Sequence, residues 1–514
     1  MSSSLPARPD LDQFRRQAKE LRDAARVGAQ SAVERVARQG LETDRRAMTL
    51  AAAQLVIARE WGFASWPKLK AAVESRAALG RRVEAFVAAS VEGRLRQAQR
   101  LLEQDADIAR IDVRAAAVLG DAVGVGELVA AEPSRATAAD RERGWPPLLY
   151  ACYSHWFRAA PRRASGIVDV VGLLLDANAS PDTNNGGRPH HGYRSALHGS
   201  VTVNHPAVTG VLLERGADPN DGESLYQAAA YRGHECLRLL IAHGAIVAGS
   251  WALDVAVGAD DAEAVRLLLG AAARQNPAQA RELASGVLAR AAARASTAVV
   301  EALLAGGADS SERDRDGLSP LRHAVRVGNE QLAAVLRWHG ALDDATEIDH
   351  FLGACTRGDR RHAERLLREQ PALFDRLSVH DRAAIVDAAA SGRAEAVRLM
   401  LELGFSPHQR NDSGETPLHS AAFAGNAETV RILIDHGSEL DARDANYRAT
   451  ALGYAIVGSG EHQDTDGDWV TTVRLLLDAG ADRAGARASS PASEDVVEVL
   501  RGYGIMGEDE AVQR

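Results

Sequence analysis

The side chains best suited to chemistry lie between positions 145 and 251. This window of 107 residues holds nine of the 23 aromatic residues and seven of the 16 histidines. Imidazole and phenol groups that converge on a cavity can exchange protons with a substrate, so the window could support isomerisation, cyclisation or hydrolysis without a cofactor. The candidates are Tyr150, Tyr153, His155, Trp156, His190, His191, Tyr193 and Tyr231.

Metal and cofactor chemistry has less support in the sequence. His191, His198 and His205 are spaced by sevens, but Pro206 and the turn residues around them interrupt any single helix that could present them to zinc. The aspartates of the 458–469 segment lack the spacing and the closing glutamate of a calcium loop. The motifs of zinc proteases, nucleotide-binding loops and serine hydrolases do not occur. We therefore expect no metal and no cofactor.

The repeating structural unit that must position these residues is clearest in the stretch Asp412 to Asp444. In order it contains Thr416-Pro417-Leu418-His419, Ala421-Ala422, Gly425, Ile432-Leu433-Ile434 and Gly437. Thr416 is suited to cap a helix that starts at Pro417, whose missing N–H costs nothing there. Gly425 permits a turn into a second helix, and Gly437 permits a left-handed residue at its end. This order of residues resembles the ankyrin repeat.

Further copies of this unit are spaced along the chain. The helix-ending glycines Gly307, Gly340, Gly404 and Gly437 are separated by 33, 64 and 33 residues, so one repeat is hidden between the second and third, from about Glu347 to Leu373. The resemblance covers residues 83–504, as about twelve repeats, several of them degenerate. It implies an all-α, ankyrin-type solenoid of helix pairs.

We expect three parts in the chain. Residues 1–80 form a helical N-terminal cap, residues 81–504 form the solenoid, and residues 505–514 form a charged tail. Insertions interrupt the repeats near 154–165, 180–193 and 458–469.

The N-terminal part resembles the helical leader found ahead of repeats in many bacterial ankyrin proteins. Apolar residues recur at helical spacing from Leu11 to Ala25, a second helix is expected from Leu50 to Trp61, and a third from Pro67 to Ser75. One interpretation is a cap in which Trp61, Phe63 and Trp66 cover the apolar face of the first repeat. The alternative is a docking module.

Composition limits the partners and the compartment. The net charge of −10 argues against a nucleic-acid partner, and no apolar run is long enough to cross a membrane. The cysteines are three, far apart and without a Cys-x-x-Cys pair, which indicates a reducing cytoplasm. Lysine occurs only three times against abundant arginine, which is typical of a GC-rich bacterial genome.

Two functions remain open. The resemblance implies a scaffold that binds a partner, in particular a protein, through the concave face of the repeats and the tips of their turns. The register of the repeats predicts that Tyr150 and Tyr153, with Tyr231 close by, face that groove. The alternative is a small-molecule binder or a cofactor-independent acid/base enzyme with its pocket in residues 145–251. In either case we expect contacts to centre on this window rather than on the regular repeats at 381–445.

Overall fold

The computed structural model describes residues 9–41, 48–186, 192–461, 467–488 and 492–505. These residues form helices and connecting turns, with no β-strand among them and an isolated antiparallel bridge between Asn184 and Ser195. The all-α prediction is therefore confirmed. The chain divides into two compact units, residues 1–252 and 253–514. Within the described ranges, no helix is both long enough and apolar enough to span a membrane.

The first unit begins with a group of N-terminal helices that includes the long Trp66–Val91 helix. Short helices that pack in consecutive pairs follow this group. Its α-helices are Leu11–Arg26, Gln30–Arg38, Leu50–Glu60, Trp66–Val91, Leu95–Gln104, Ile108–Ile111, Val113–Leu119, Ala122–Ala131, Pro147–Cys152, Pro161–Asp176, Ala196–Thr202, Pro206–Glu214, Ser224–Ala229 and Glu235–Ala242. Short 3-10 turns lie at Pro133–Ala136 and Trp156–Arg158.

The second unit also consists mainly of helix pairs. Its first helix starts at Ala252, the last residue of the first unit. Its α-helices are Ala252–Gly258, Ala262–Gln275, Pro277–Arg294, Thr297–Ala305, Pro320–Arg326, Glu330–Trp338, Glu347–Thr356, Arg360–Glu369, Val379–Arg382, Ala384–Ala390, Ala394–Glu402, Pro417–Phe423, Ala427–Asp435, Ala451–Glu461, Trp469–Asp478 and Glu494–Gly502, with a 3-10 turn at Arg483–Ala488.

The most regular repeat, at 412–444, has the helices and turns that its sequence predicts. Thr416 is the N-cap of the Pro417–Phe423 helix, and its hydroxyl lies 2.8 Å from Nδ1 of His419. Nε2 of the same imidazole lies 3.1 Å from the carbonyl oxygen of Ala449, so this histidine links its own repeat to the next. Gly425 and Gly437 have φ of 66° and 76°, in the left-handed region that glycine adopts without steric cost.

The hidden repeat between Gly340 and Gly404 is also confirmed. It consists of the Glu347–Thr356 and Arg360–Glu369 helices, joined at Gly358 with a φ of 70°. The first helix carries a capping box, in which Thr346 and Asp349 exchange hydrogen bonds.

The N-terminal region is helical as predicted, but its third helix is not the short one expected. That helix runs without a break from Trp66 to Val91, across the predicted boundary at residue 80, and a further helix, Gln30–Arg38, lies between the first two expected. Ser65 and Pro67 start the long helix, and no proline follows to stop it.

The leader has a hydrophobic core of its own. Phe14, Leu21 and Val56 are among the buried side chains that form a cluster distinct from those of the repeats. Trp61, Phe63 and Trp66 pack against this cluster, and the ring centroids of Phe14 and Trp61 lie 5.6 Å apart. All three aromatic residues are half-buried against this core, and the interpretation of the leader as a cap on the first repeat stays a prediction.

The connection between the leader and the repeats is a stretch of exposed helix. No residue from 74 to 82 is buried, whereas Val73 belongs to the leader core and Val83 is buried at the start of the repeats. The leader and the first repeat thus share a helix but not a core.

The predicted insertion at 458–469 is helical at its start, because the Ala451–Glu461 helix extends into it. Asp468 caps the following helix and accepts a hydrogen bond of 2.9 Å from the N–H of Thr471. The other two aspartates of the rejected calcium loop, Asp464 and Asp466, lie outside the described residues. Of the predicted charged tail, only Ile505 is described.

Replacing Gly437 with valine tests the left-handed helix ending. Open space surrounds the position where a Cβ would lie, so the expected loss of about 1–3 kcal/mol in unfolding free energy comes from the backbone alone. Gly437→Asn should cost less, since asparagine tolerates this conformation. Chemical denaturation monitored by circular dichroism measures both. Equal stability of the valine variant and the parent would contradict the assignment.

The separate leader core predicts separate unfolding. Phe14→Ala should destabilise the leader by about 3–5 kcal/mol, because it empties a buried aromatic site. Hydrogen exchange read by mass spectrometry on the full chain should then rise in peptides from residues 9–73 and stay unchanged in the repeats. Leu418→Ala, buried in a repeat, is the matched control and should have the opposite pattern. Loss of protection in both regions from Phe14→Ala would show that the leader is an integral cap.

Candidate functional site

Tyr150 lies on the Pro147–Cys152 helix and is buried, with 1% of its surface exposed. Its hydroxyl donates a 2.5 Å hydrogen bond to Oδ2 of Asp140, which also accepts from the backbone N–H groups of Glu142, Arg143 and Trp145. Burial opposes ionisation of Asp140, but these hydrogen bonds hold its pKa below the ordinary value. Burial and the neighbouring carboxylate raise the pKa of Tyr150.

Arg114 completes this network beneath the tyrosine. Its buried guanidinium donates to Glu84 and Asp112 at 2.8 and 2.9 Å and lies 5.7 Å from the centroid of the Tyr150 ring. Asp140 is 4.0 Å away. The charges are thus paired within the repeats, as buried charges require. The network joins the helix that carries Glu84 to the two following repeats.

Tyr153 is also buried, between Trp145 and the next repeat. Its ring centroid lies 5.0 Å from that of Trp145, and its hydroxyl lies 2.9 Å from Nδ1 of His198. The other imidazole nitrogen lies 3.2 Å from Oγ1 of Thr202. Burial lowers the pKa of His198, so the neutral imidazole is favoured at pH 7.

Gly199 provides the space for the Tyr153 ring. A Cβ at this position would lie 2.5 Å from Cδ2 and Cε2 of the tyrosine, a distance that carbon atoms do not tolerate. The tyrosine therefore fills a gap that a side chain would occupy in another repeat.

The insertion that follows packs against the repeat end of the Trp66–Val91 helix. Nε1 of Trp156 donates a 2.9 Å hydrogen bond to Oγ of Ser90, and the indole lies against Phe86. His155 is half-buried, and its imidazole lies close to Gly93. Burial lowers the pKa of His155, and nearby Arg158 lowers it further. From Pro161 onward the predicted insertion is already helix.

The remaining candidates are dispersed. Tyr231 is half-buried and its hydroxyl donates to the carbonyl oxygen of Thr202, while Tyr193 is half-buried in the turn before the Ala196–Thr202 helix. His190 and His191 lie outside the described residues.

The prediction that Tyr150 and Tyr153 face an open groove is wrong. Both side chains are buried against Trp145, and their hydroxyl groups are hydrogen-bonded to Asp140 and His198. With Trp156, they form internal hydrogen-bonded contacts rather than a cavity. Replacing both tyrosines with alanine would therefore test folding, not binding.

Other apolar residues of the same window are exposed, and the sequence analysis missed them. Tyr226, Ile246 and Trp251 all leave at least two fifths of their surface in solvent. A signal was present, because no Asp, Glu, Lys or Arg occurs from Leu239 to Leu253. An exposed tryptophan in a charge-free turn is typical of a contact surface.

Comparison with known proteins agrees with the helix-pair architecture. A sequence model described as ankyrin repeats matches three copies within residues 197–279 and 385–483. This protein therefore contains ankyrin repeats, and its class is that of a repeat protein built from stacked helix pairs.

Two curated relatives are similar to part of this chain. The chain is 35% identical over 92 residues to protein phosphatase 1 regulatory subunit 27 of Mus musculus and 34% identical over 92 residues to that of Homo sapiens. The similarity covers 18% of this chain and 60% of the length of each relative.

Gly199→Ala tests the fit between Tyr153 and the neighbouring repeat. We expect a loss of about 1–3 kcal/mol in unfolding free energy, because the new methyl group overlaps the ring. In a Tyr153→Leu background the same substitution should cost less, which a double-mutant cycle by chemical denaturation measures.

Gly210→Ala is the matched control for the glycine substitution. Gly210 also lies inside a helix, but the nearest atom to its Cβ position is 4.0 Å away, so alanine should stabilise by about 0.5–1 kcal/mol. If Gly199→Ala were as favourable as this control, Tyr153 would not be packed as described.

Proposed function

We propose that this protein is a binding scaffold that recognises a protein partner through the concave faces and turn tips of its ankyrin repeats. The observation that carries the proposal is where the exposed apolar side chains lie. Trp338 is 87% exposed at the end of a helix, and Tyr447 is 80% exposed in the turn before the Ala451–Glu461 helix. Trp251, Leu342 and Ile246 are exposed in similar connections between helix pairs.

Such placement is not required by the fold. The core of each unit consists mainly of leucine, valine, isoleucine and alanine, and those side chains are already buried without help from the turns. A large aromatic side chain that stays in solvent forgoes the favourable free energy of burial unless a partner covers it. Tryptophan and tyrosine are also the residues that most often dominate the affinity of protein interfaces.

The named relatives fit this proposal at the level of the scaffold. Their descriptions make them regulatory subunits of a phosphatase, a role exercised by binding another protein. The similarity covers about a fifth of this chain, so it supports a scaffold that binds a protein and does not carry the relatives' own partner over to this chain.

The acid/base alternative has no comparable support from the geometry. The hydroxyl groups of Tyr150, Tyr153 and Tyr231 are each hydrogen-bonded to another group of the protein, and the first two are buried.

The three cysteines, Cys152, Cys236 and Cys355, are buried free thiols, which suits the proposed setting in a reducing bacterial cytoplasm.

Site-specific cross-linking tests the scaffold proposal. A photoreactive benzoylphenylalanine replaces Trp338, Tyr447 or Trp251, one position at a time, in the full chain expressed in its native host. We expect irradiation to attach a discrete protein to at least one of these turns, identified by mass spectrometry and then purified for calorimetric binding.

The same probe at Arg365 is the control, because this side chain is also exposed, at 58%, but lies on the Arg360–Glu369 helix rather than at a turn. Adducts from Arg365 alone, or no protein adduct from any of the turns, would count against the proposal.

A further inference from the structure

Three consecutive repeats of the second unit are linked beyond their nearest neighbours. We call the repeat at 347–369 the middle repeat, and those at 320–338 and 379–402 the flanking repeats. In a repeat stack each helix pair packs only on its neighbours, and helices that pack together already lie about 8–10 Å apart. Side chains of the two flanking repeats are therefore normally out of reach of each other.

Arg326, the last residue of the Pro320–Arg326 helix, reaches across the middle repeat. Its guanidinium donates a 3.0 Å hydrogen bond to Oδ1 of Asp349 in the middle repeat. The other terminal nitrogen of the same guanidinium donates to Asp381 in the second flanking repeat. None of the three side chains is more than 13% exposed, so solvent and salt screen these pairs little.

The two aspartates are held in place as carboxylates. Asp349 also accepts 2.8 Å hydrogen bonds from Arg322 and from the N–H of Thr346, and Asp381 accepts from the N–H and the hydroxyl of Ser378 at 2.9 and 2.7 Å. Burial opposes the ionisation of both groups, but the hydrogen bonds hold the pKa of each below its ordinary value. Each carboxylate thus has an arginine partner, as buried charges require.

Arg393 makes a second contact across the middle repeat, at the turns between paired helices. Its guanidinium donates to the carbonyl oxygen of Thr356 in the middle repeat at 3.4 Å and to that of Val327 in the first flanking repeat at 3.0 Å. Both carbonyl groups lie at the C-terminal ends of helices, where a cation is favoured.

The repeat that follows shows the ordinary form of this contact. Asn426 is the N-cap of the second helix of its pair, as Arg393 is in the flanking repeat. Its amide nitrogen donates to the carbonyl oxygens of Ala389 and Ala390 at 3.1 Å each. Both acceptors lie in the directly preceding repeat. The shorter side chain therefore reaches one repeat, whereas the arginine reaches two.

The middle repeat lies very close to the first flanking repeat. A Cβ at Gly353 would lie 2.1 Å from the carbonyl oxygen of Val325, and a Cβ at Gly328 would lie 2.5 Å from Cγ of Arg357. The absence of side chains at these two glycines allows the close approach. It shortens the span that the two arginines must bridge.

We propose that Arg326 and Arg393 form a latch that holds the flanking repeats together around the middle repeat, so that residues 320–402 open as one block. This conformational device does not rest on the proposed function. With the latch closed, loss of structure in one flanking repeat removes bonds of the other. With the latch released, the flanking repeats open separately, as in a stack where each repeat is coupled only to its neighbours.

A latch-free variant tests this coupling. Arg393→Asn introduces the residue that the following repeat has at this position. Asp381→Ala removes the second carboxylate, while Arg326 keeps Asp349 as its partner and the Ser378 hydroxyl still caps its helix. We expect the double variant to fold, with the circular dichroism spectrum of the parent.

Hydrogen exchange of the full chain, read by mass spectrometry, measures how far a defect spreads. Met400→Ala, at a fully buried position, should raise exchange by about tenfold or more at 379–402 and also at 320–338. In the latch-free variant it should raise exchange as much at 379–402, but less than about twofold at 320–338. Equal rises at 320–338 with and without the latch would overturn the proposal, as would no rise there in the parent. Val397→Ala, also fully buried, replaces Met400→Ala if that variant unfolds.

Leu476→Ala is the matched control in a part of the stack without the two arginines. Leu476 is fully buried on the Trp469–Asp478 helix. We expect exchange to rise at 469–478 and in the neighbouring repeat at 417–435, but by less than about twofold at 379–402, two repeats away. An equal spread over two repeats from this site would show that all repeats are coupled alike, and the latch would not be the cause.

Discussion

A helix pair of this kind cannot bury its apolar face alone, and every other feature of the repeats follows from that constraint. In the second unit, the buried residues from Phe351 to Ile505 form one continuous cluster that passes from repeat to repeat. Small residues such as Ala388 and Ala421 let neighbouring first helices approach. The stability of each pair therefore depends on its neighbours, and a defect in one repeat is felt in the next.

The same constraint explains why the richest cluster of aromatic and histidine residues is structural. Where the repeats are interrupted, larger side chains are needed to fill the space between helices. Tyr153 fills the gap above Gly199, and Trp156 donates a hydrogen bond to Ser90 near the end of the Trp66–Val91 helix. Groups that look suited to proton transfer in a list of residues thus become part of the packing, with burial shifting the pKa of His198 and Tyr150 away from neutrality.

The proposed contacts instead involve residues whose exposure this constraint does not explain. The leader has its own core and shares the Trp66–Val91 helix with the repeats. Trp251 keeps a strained backbone and an exposed indole that the fold does not need. Local departures of this kind, in a chain that is otherwise consistent, are the expected mark of a functional site.

The sequence by itself determined the repeat unit, its glycine turns and the hidden repeat at 347–369, because capping and left-handed turns are local and each is specified by a few residues. It also singled out residues 145–251 as unusual. Only the tertiary structure decided which aromatic side chains in that window are buried. Tyr153 meets Gly199 and Trp156 meets Ser90 across other repeats, and exposure depends on such distant neighbours rather than on position within a helix.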